Sequence, residues 1–272
     1  MSILLKALNL IDAALSGRMA RRIVRDLPFG PDARQRLDIY APRDTAPEAG
    51  RSARPVLVFF YGGNWDSGDR KDYAFAGRAF AELGYVTVLP DYTHTHTRPW
   101  PAFMEDAGAA LAWVSAHIAG HGGDPARIAV AGHSAGAYIA AMLALDPRWG
   151  AADKIRAAAG LAGPYDFLPF DSPVSERTFG HAEDLPATQP VNHVHAGAPP
   201  LLLATGDADT TVKPRNSIEL QARMRQAGGQ AELILYPGLS HTDPLKAIAR
   251  PFRGQAPVLR DIAAFLAKQG LA

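Results

Sequence analysis

The chain has 272 residues and 29.0 kDa, of which 47% are hydrophobic and 20% charged, a balance that excludes a disordered chain. Twenty-eight Lys and Arg against 27 Asp and Glu leave a formal charge of +1, too little to build the field a phosphate backbone requires, so nucleic acid is not an expected partner. Cysteine is absent, which removes disulfides, thiolate metal sites and a cysteine nucleophile together.

From the amino terminus, Leu4, Leu8, Ile11 and Leu15 recur at the spacing of one helix face. Lys6, Asn9 and Asp12 interrupt the apolar run and residues 1–5 carry no basic side chain, so the segment does not read as a secretory signal. No stretch approaches the roughly 18–20 apolar residues of a membrane span. Residues 1–35 are therefore expected to form a helical segment packed on its own domain. A lid beside the active site, an interfacial membrane helix or a dimer contact, and hence a homodimer, are the alternatives. The expected location is the cytoplasm, with no transmembrane segment.

Short apolar runs then alternate with helical patterns. Strands are predicted at 36–40, 55–61, 85–90, 127–131, 157–162, 201–205 and 232–236, and helices at 71–83, 101–118, 135–145, 214–227 and 256–268. Pro101 and Pro214 each open a helix, where a missing N–H costs nothing. Runs such as VLVFF, IAVAG and LLLAT are apolar throughout, as strands buried on both faces of a parallel sheet must be. The alternation predicts a single α/β domain over 36–272, with a mostly parallel central sheet and helices on both faces. Residues 163–200 break the rhythm with Pro, Asp and His. They read as a small irregular cap over the carboxyl ends of the strands, where such folds bind ligands.

The strand at 127–131 runs into Gly132-His133-Ser134-Ala135-Gly136 and then into a helix. This is G-x-S-x-G in the strand–turn–helix context that it requires. The turn is so tight that side chains two residues either side of the serine would collide, and the helix aims its first N–H groups at developing negative charge. Upstream, Tyr61-Gly62-Gly63-Asn64-Trp65 closes the strand VLVFF.

With these two elements the sequence resembles the α/β-hydrolase fold, and more narrowly the microbial carboxylesterases that carry a His-Gly-Gly oxyanion loop. Here Tyr61 replaces the His, and Asn64 stands where a third Gly is common. Because main-chain N–H groups do the work of such a loop, Gly63 and Asn64 remain candidate oxyanion donors, joined by Ala135. The resemblance implies the chain order Ser, acid, His. It gives Ser134 the role of nucleophile and assigns the acid to Asp209, in Gly206-Asp207-Ala208-Asp209-Thr210-Thr211-Val212, with Asp207 as competitor. It gives the general base to His241, past the Pro237-Gly238 turn. It covers residue 36 to the carboxyl terminus and leaves 1–35 outside.

The activity implied is cleavage of small-molecule carboxylic esters with short-to-medium acyl chains, through an acyl-enzyme and without a cofactor. Trp65, Tyr92, Phe167 and Phe170 lie near strand ends and are candidate substrate contacts. Gly62-Gly63-Asn64-Trp65 also resembles the His-Gly-Gly-x-Trp of aryl formamidases, which makes amide hydrolysis the alternative. A non-catalytic binding protein on this fold is a lesser one, since such proteins usually lose a triad residue. Among the other histidines, His133 is expected to pack under the loop. His94 and His96 alternate as on an extended segment, but two imidazoles without a third ligand fall short of a zinc site, so no metal is expected. His181, His193 and His195 fall in the cap. Asp106, on the helix MEDAGAALAWV, is assigned to structural pairing.

Overall fold

The structure is a computed structural model and describes residues 2–16, 19–44, 53–150 and 152–272. Its strands are β1 (Ala20–Pro28), β2 (Arg36–Pro42), β3 (Arg54–Phe60), β4 (Val86–Pro90), β5 (Gly123–His133), β6 (Ile155–Leu161), β7 (Leu201–Gly206) and β8 (Ala231–Tyr236). Successive side chains of a strand point to opposite faces, yet β3, β4, β6 and β7 are buried at nearly every position. Both faces of the sheet are therefore covered. The strands form one eight-stranded sheet in the order β1-β2-β4-β3-β5-β6-β7-β8. β2 runs antiparallel to β1 and to β4, and every other pairing is parallel.

The helices are α1 (Ser2–Ser16), α2 (Ala74–Glu82), α3 (Ala102–His117), α4 (Ala135–Leu145), α5 (Pro173–Phe179), α6 (Arg215–Gln226), α7 (Asp243–Lys246) and α8 (Val258–Lys268). α4, AGAYIAAMLAL, is buried at every residue, as a helix that is apolar all round must be. That burial fixes the start of α4 against the sheet. Among the described residues no helix is long and apolar enough to cross a membrane.

The amino-terminal segment differs from its expected form. Only Ser2–Ser16 is helical, and Ala20–Pro28 is an edge strand paired with β2. Periodicity could not find β1, because Arg21, Arg22, Arg25 and Asp26 occupy a mostly solvent-facing edge, where charge protects against unwanted pairing. The helix face also differs. Leu8 is buried, but Ile11 and Leu15 are 52% and 57% exposed, and the Leu4 side chain lies outside the described residues. The residues that interrupt the apolar run do the docking. Asn9 Oδ1 accepts from Phe75 N–H at 2.7 Å, and buried Asp12 accepts from Arg78 Nε at 2.8 Å and Arg250 N–H at 3.0 Å. α1 is thus tied to α2 and to the loop before α8 by polar contacts at sites from which water is largely excluded.

The cap segment after β6 contains α5 and two short 3₁₀ turns, at Pro186–Thr188 and Pro190–Asn192. Ser172 caps α5 by accepting from Ser175 N–H at 3.1 Å.

Candidate active site

β5 ends at His133 and α4 begins at Ala135, so Ser134 must turn the chain alone. It does so at φ 55°, ψ −120°, a backbone region that L-residues avoid and that surrounding structure must enforce. A Cβ on Gly132 would run into the Gly136 carbonyl oxygen, and one on Gly136 into that of Phe60. The flanking glycines are therefore steric necessities of the turn.

Three loops from three strand ends meet at this serine. His241 Nε2 lies 3.0 Å from Ser134 Oγ, and His241 Nδ1 lies 2.8 Å from Asp209 Oδ2. Asp209 is buried, and its other oxygen accepts from the N–H groups of Thr211 and Val212, each at 2.9 Å. Its carboxylate is thereby aimed while the second oxygen stays free for the imidazole. Asp207 does not join this line. Its side chain is exposed and pins the Pro237-Gly238 turn by accepting from Gly238 N–H at 2.7 Å. Both aspartates serve His241, one through the ring and one through the loop that carries it.

His133 lies beneath the imidazole of His241, with ring centroids 4.9 Å apart. Burial pushes its pKa down to about 3. The ring is neutral, and Nε2–H donates to the His241 carbonyl at 3.0 Å. The protonation of Nδ1 and Nε2 follows from these partners.

The Tyr61–Trp65 loop is anchored by aromatic hydroxyls. Gly62 N–H donates to Tyr73 Oη at 3.2 Å, and Tyr92 Oη donates to the Tyr61 carbonyl at 3.0 Å. Tyr61 stacks on Tyr92 at 4.5 Å between centroids and accepts at Oη from Arg34 Nη2 at 2.8 Å. Arg34 also donates to the carbonyls of Tyr92 and Gly68. Tyr61, where the resemblance has His, is thus held by an arginine from the segment before β2. Gly63, Asn64 and Trp65 all take positive φ (142°, 56° and 60°). Among the described residues no acceptor takes up the N–H groups of Gly63 and Asn64, and Ala135 N–H lies in the first turn of α4, where helices leave their donors free. Unclaimed donors beside a serine oxygen suit an oxyanion.

Two clefts open on Ser134. One of about 410 Å³ is walled by Trp65, Phe167 and Val174 and reaches Lys213 and Arg215. The other, about 350 Å³, runs past His241 and is lined by the hydroxyls of Thr210, Thr211, Ser240 and Thr242. Of the four aromatic candidates, Trp65 and Phe167 line the first cleft. Tyr92 does not: it is fully buried behind the Tyr61–Trp65 loop, where its hydroxyl holds Tyr61. Phe170 lines neither cleft and stacks behind Phe167 at 6.2 Å. Strand-end position was the signal for all four, and it does not distinguish a wall from its backing. Arg34, Tyr73 and the threonines carried no motif; only folding brings them here.

The remaining candidates lie outside the site. His94 is buried, with its pKa pushed down to about 4 by desolvation, and its ring sits 5.4 Å from that of His96. Among the described residues no group of three His, Cys, Asp or Glu side chains is placed to hold a metal. His181 and His193 bond the carbonyls of Trp100 and Ala187, and neither they nor His195 line either cleft. Asp106 is buried and accepts from Gln35 Nε2 and Thr93 N–H.

A mostly parallel eight-stranded sheet whose central strand delivers a strained serine to the helix beyond it is the α/β-hydrolase fold. Within that fold the chain belongs to the BD-FAE family, whose profile matches residues 37–224. Among curated relatives, esterase LipQ of Mycobacterium tuberculosis is 34% identical over 250 residues, which are 83% of this chain and 58% of LipQ. A probable isoprenylcysteine alpha-carbonyl methylesterase of Oryza sativa subsp. japonica, ICME, is 29% identical over 261 residues, 86% of this chain and 61% of that protein. The chain thus spans little more than half the length of either. Among solved structures, the apo form of Thermogutta terrifontis esterase 2 superimposes with a TM-score of 0.76 at 25% identity, over 93% of this chain and 95% of that one.

Proposed function

We propose that this chain hydrolyses small-molecule carboxylic esters through a Ser134 acyl-enzyme. The observation that carries this reading is the line Ser134 Oγ–His241–Asp209, at 3.0 and 2.8 Å, on a strained elbow. Esterase relatives on both the sequence and structure side support it. His241 Nε2 takes the Ser134 proton as Oγ bonds to the acyl carbon, and Asp209 stabilises the imidazolium. N–H groups of Gly63, Asn64 and Ala135 hold the tetrahedral oxyanion. The carbon–oxygen bond to the alcohol then breaks, and the leaving oxygen takes the proton from His241. Water, deprotonated by the same imidazole, attacks the acyl-enzyme and frees Ser134 with the acid. Each of these steps is completed by the chain's own groups.

Short-to-medium acyl chains are favoured by a cleft of about 410 Å³ whose apolar lining is Trp65, Ala135, Pro164, Phe167, Val174 and Val212. Structures of Thermogutta terrifontis esterase 2 with propionate and with butyrate bound point the same way. The test is hydrolysis of p-nitrophenyl butyrate by wild type and Ser134→Ala. Turnover is expected to fall by about three orders of magnitude or more. Equal rates in the two proteins would overturn the assignment.

A further inference from the structure

The two clefts at Ser134 differ in what they leave unsatisfied. The protonated His241 Nε2 must reach the departing oxygen, so the alcohol leaves along the smaller cleft that His241 lines, and the acyl group occupies the larger one. Most polar side chains on the acyl wall are already committed within the protein. Ser172 and Ser175 bond one another at 2.9 Å. Asn216 accepts at Oδ1 from the N–H groups of Tyr165 and Asp166, each at 2.9 Å, and donates to the Lys213 carbonyl. The charged groups are different. Asp171 is the one carboxylate on this wall, and it meets Lys213 only loosely, at 3.7 Å with both side chains more than half exposed. Arg215 has no hydrogen-bond or ion-pair partner among the described residues. The acyl cleft therefore carries two solvent-exposed cations against one exposed anion, on a wall that also holds the buried Trp65 and Phe167.

We propose, resting on the esterase reading above, that the preferred substrates are monoesters of dicarboxylic acids, whose free carboxylate meets Lys213 and Arg215 while the methylenes lie on Trp65 and Phe167. A guanidinium offers a forked donor to a carboxylate, and the nearby ammonium adds charge. An apolar chain capped by an anion fits a wall that is greasy near the serine and cationic at the mouth. A plain alkanoate would make no contact with either charge.

The test compares mono-4-nitrophenyl adipate with 4-nitrophenyl methyl adipate, its neutral counterpart, on the full chain with spontaneous hydrolysis subtracted. Wild type is expected to show kcat/KM for the charged ester about 5–10-fold above the neutral one, the scale of two solvent-accessible ion pairs. The preference should shrink at 0.5 M salt as screening shortens the reach of both charges. In Lys213→Ala/Arg215→Gln the ratio should drop to about one, and in Arg215→Glu below it; because the ratio is taken within each protein, a loss common to both esters cancels. A wild-type ratio at or below one, with the neutral ester cleaved and Ser134→Ala inactive, overturns the dicarboxylate assignment and leaves the esterase reading standing. A ratio above one that survives both variants also overturns it. No cleavage of either ester overturns both.

Discussion

The two halves of the site are built differently. On the base side, Ser134, Asp209 and His241 sit on loops that follow β5, β7 and β8; Asp209 is aimed by Thr211 and Val212 N–H beside it, while Asp207 and His133 hold the His241 loop from other strand ends. On the oxyanion side, the Tyr61–Trp65 loop holds three positive-φ residues in succession, and the groups that anchor it arrive from 11 to 31 positions away. Tyr73, Tyr92 and Arg34 all bond this loop. The acid is aimed from where it stands; the base and the whole Tyr61–Trp65 loop borrow their rigidity from the tertiary structure. A local motif can therefore identify the reacting groups while leaving the stability of the charge-stabilising loop to residues that no motif names.

Replacing Asp209 by Asn should break the base side most severely. The amide cannot stabilise the imidazolium, and kcat is expected to fall by about three to four orders of magnitude. Asp207→Asn keeps an acceptor for Gly238 N–H and should cost less than about tenfold. Steady-state rates of the two variants on one aryl ester decide which carboxylate serves the ring; a larger loss at Asp207 would reverse the assignment.

The oxyanion side should fail more gently. Tyr61→Phe removes the shortest acceptor of Arg34 Nη2, which keeps the Gly68 carbonyl at 3.2 Å and Asp91 at 3.6 Å, a loss of roughly 1.5–3 kcal/mol for a bond to a charged donor. If part of that reaches the loop geometry, kcat falls by about tenfold with KM little changed, because the oxyanion forms after the substrate binds. Arg34→Ala should give the same pattern more strongly, since it also removes the bonds to the Tyr92 and Gly68 carbonyls. A KM effect without a kcat effect would place the loop in ground-state binding instead.

His133 joins the two halves, under Gly62 on one side and bonded to the His241 carbonyl on the other. His133→Ala removes the donor and opens a cavity, and should lower stability by about 2–4 kcal/mol with a matching fall in melting temperature. Its titration yields the smallest effect. His133 and His94 stay neutral in the folded chain, with pKa values of about 3 and about 4, down from 6.5. The unfolded chain takes up protons on both as pH drops below about 6.5, so it binds more protons than the native state and stability declines from there toward pH 3. Thermal melts between pH 7 and 4.5 should show this decline. His133→Asn should flatten it, and an unchanged slope would show that His133 is not buried neutral.

The loops carrying Ser134, Asp209 and His241 were legible because each follows a strand whose apolar run is unmistakable, and because Gly132 is imposed by a collision with Gly136 inside the elbow; Gly136 itself is imposed by Phe60 of β3. The strands from β2 to β8 and the five long helices from α2 onward were legible for the same reason: period and punctuation are local. β1 was not, since its side chains face solvent on a charged edge. The docking of α1 was misread from its leucines, because Asn9 and Asp12, two polar residues in an apolar run, find buried partners more than 60 positions away.

By itself, then, the sequence determined the fold class and the strand-end loops on which Ser134, Asp209 and His241 stand. Tertiary structure alone decided the rest: that Tyr92 backs the loop while Trp65 lines the cleft, that Arg34 grips Tyr61, and that Arg215 lines the larger cleft with no partner among the described residues. The physical reason is range. Steric and periodic constraints act between near neighbours in the chain. Burial and hydrogen-bond satisfaction act between groups that become neighbours only after the sheet has formed.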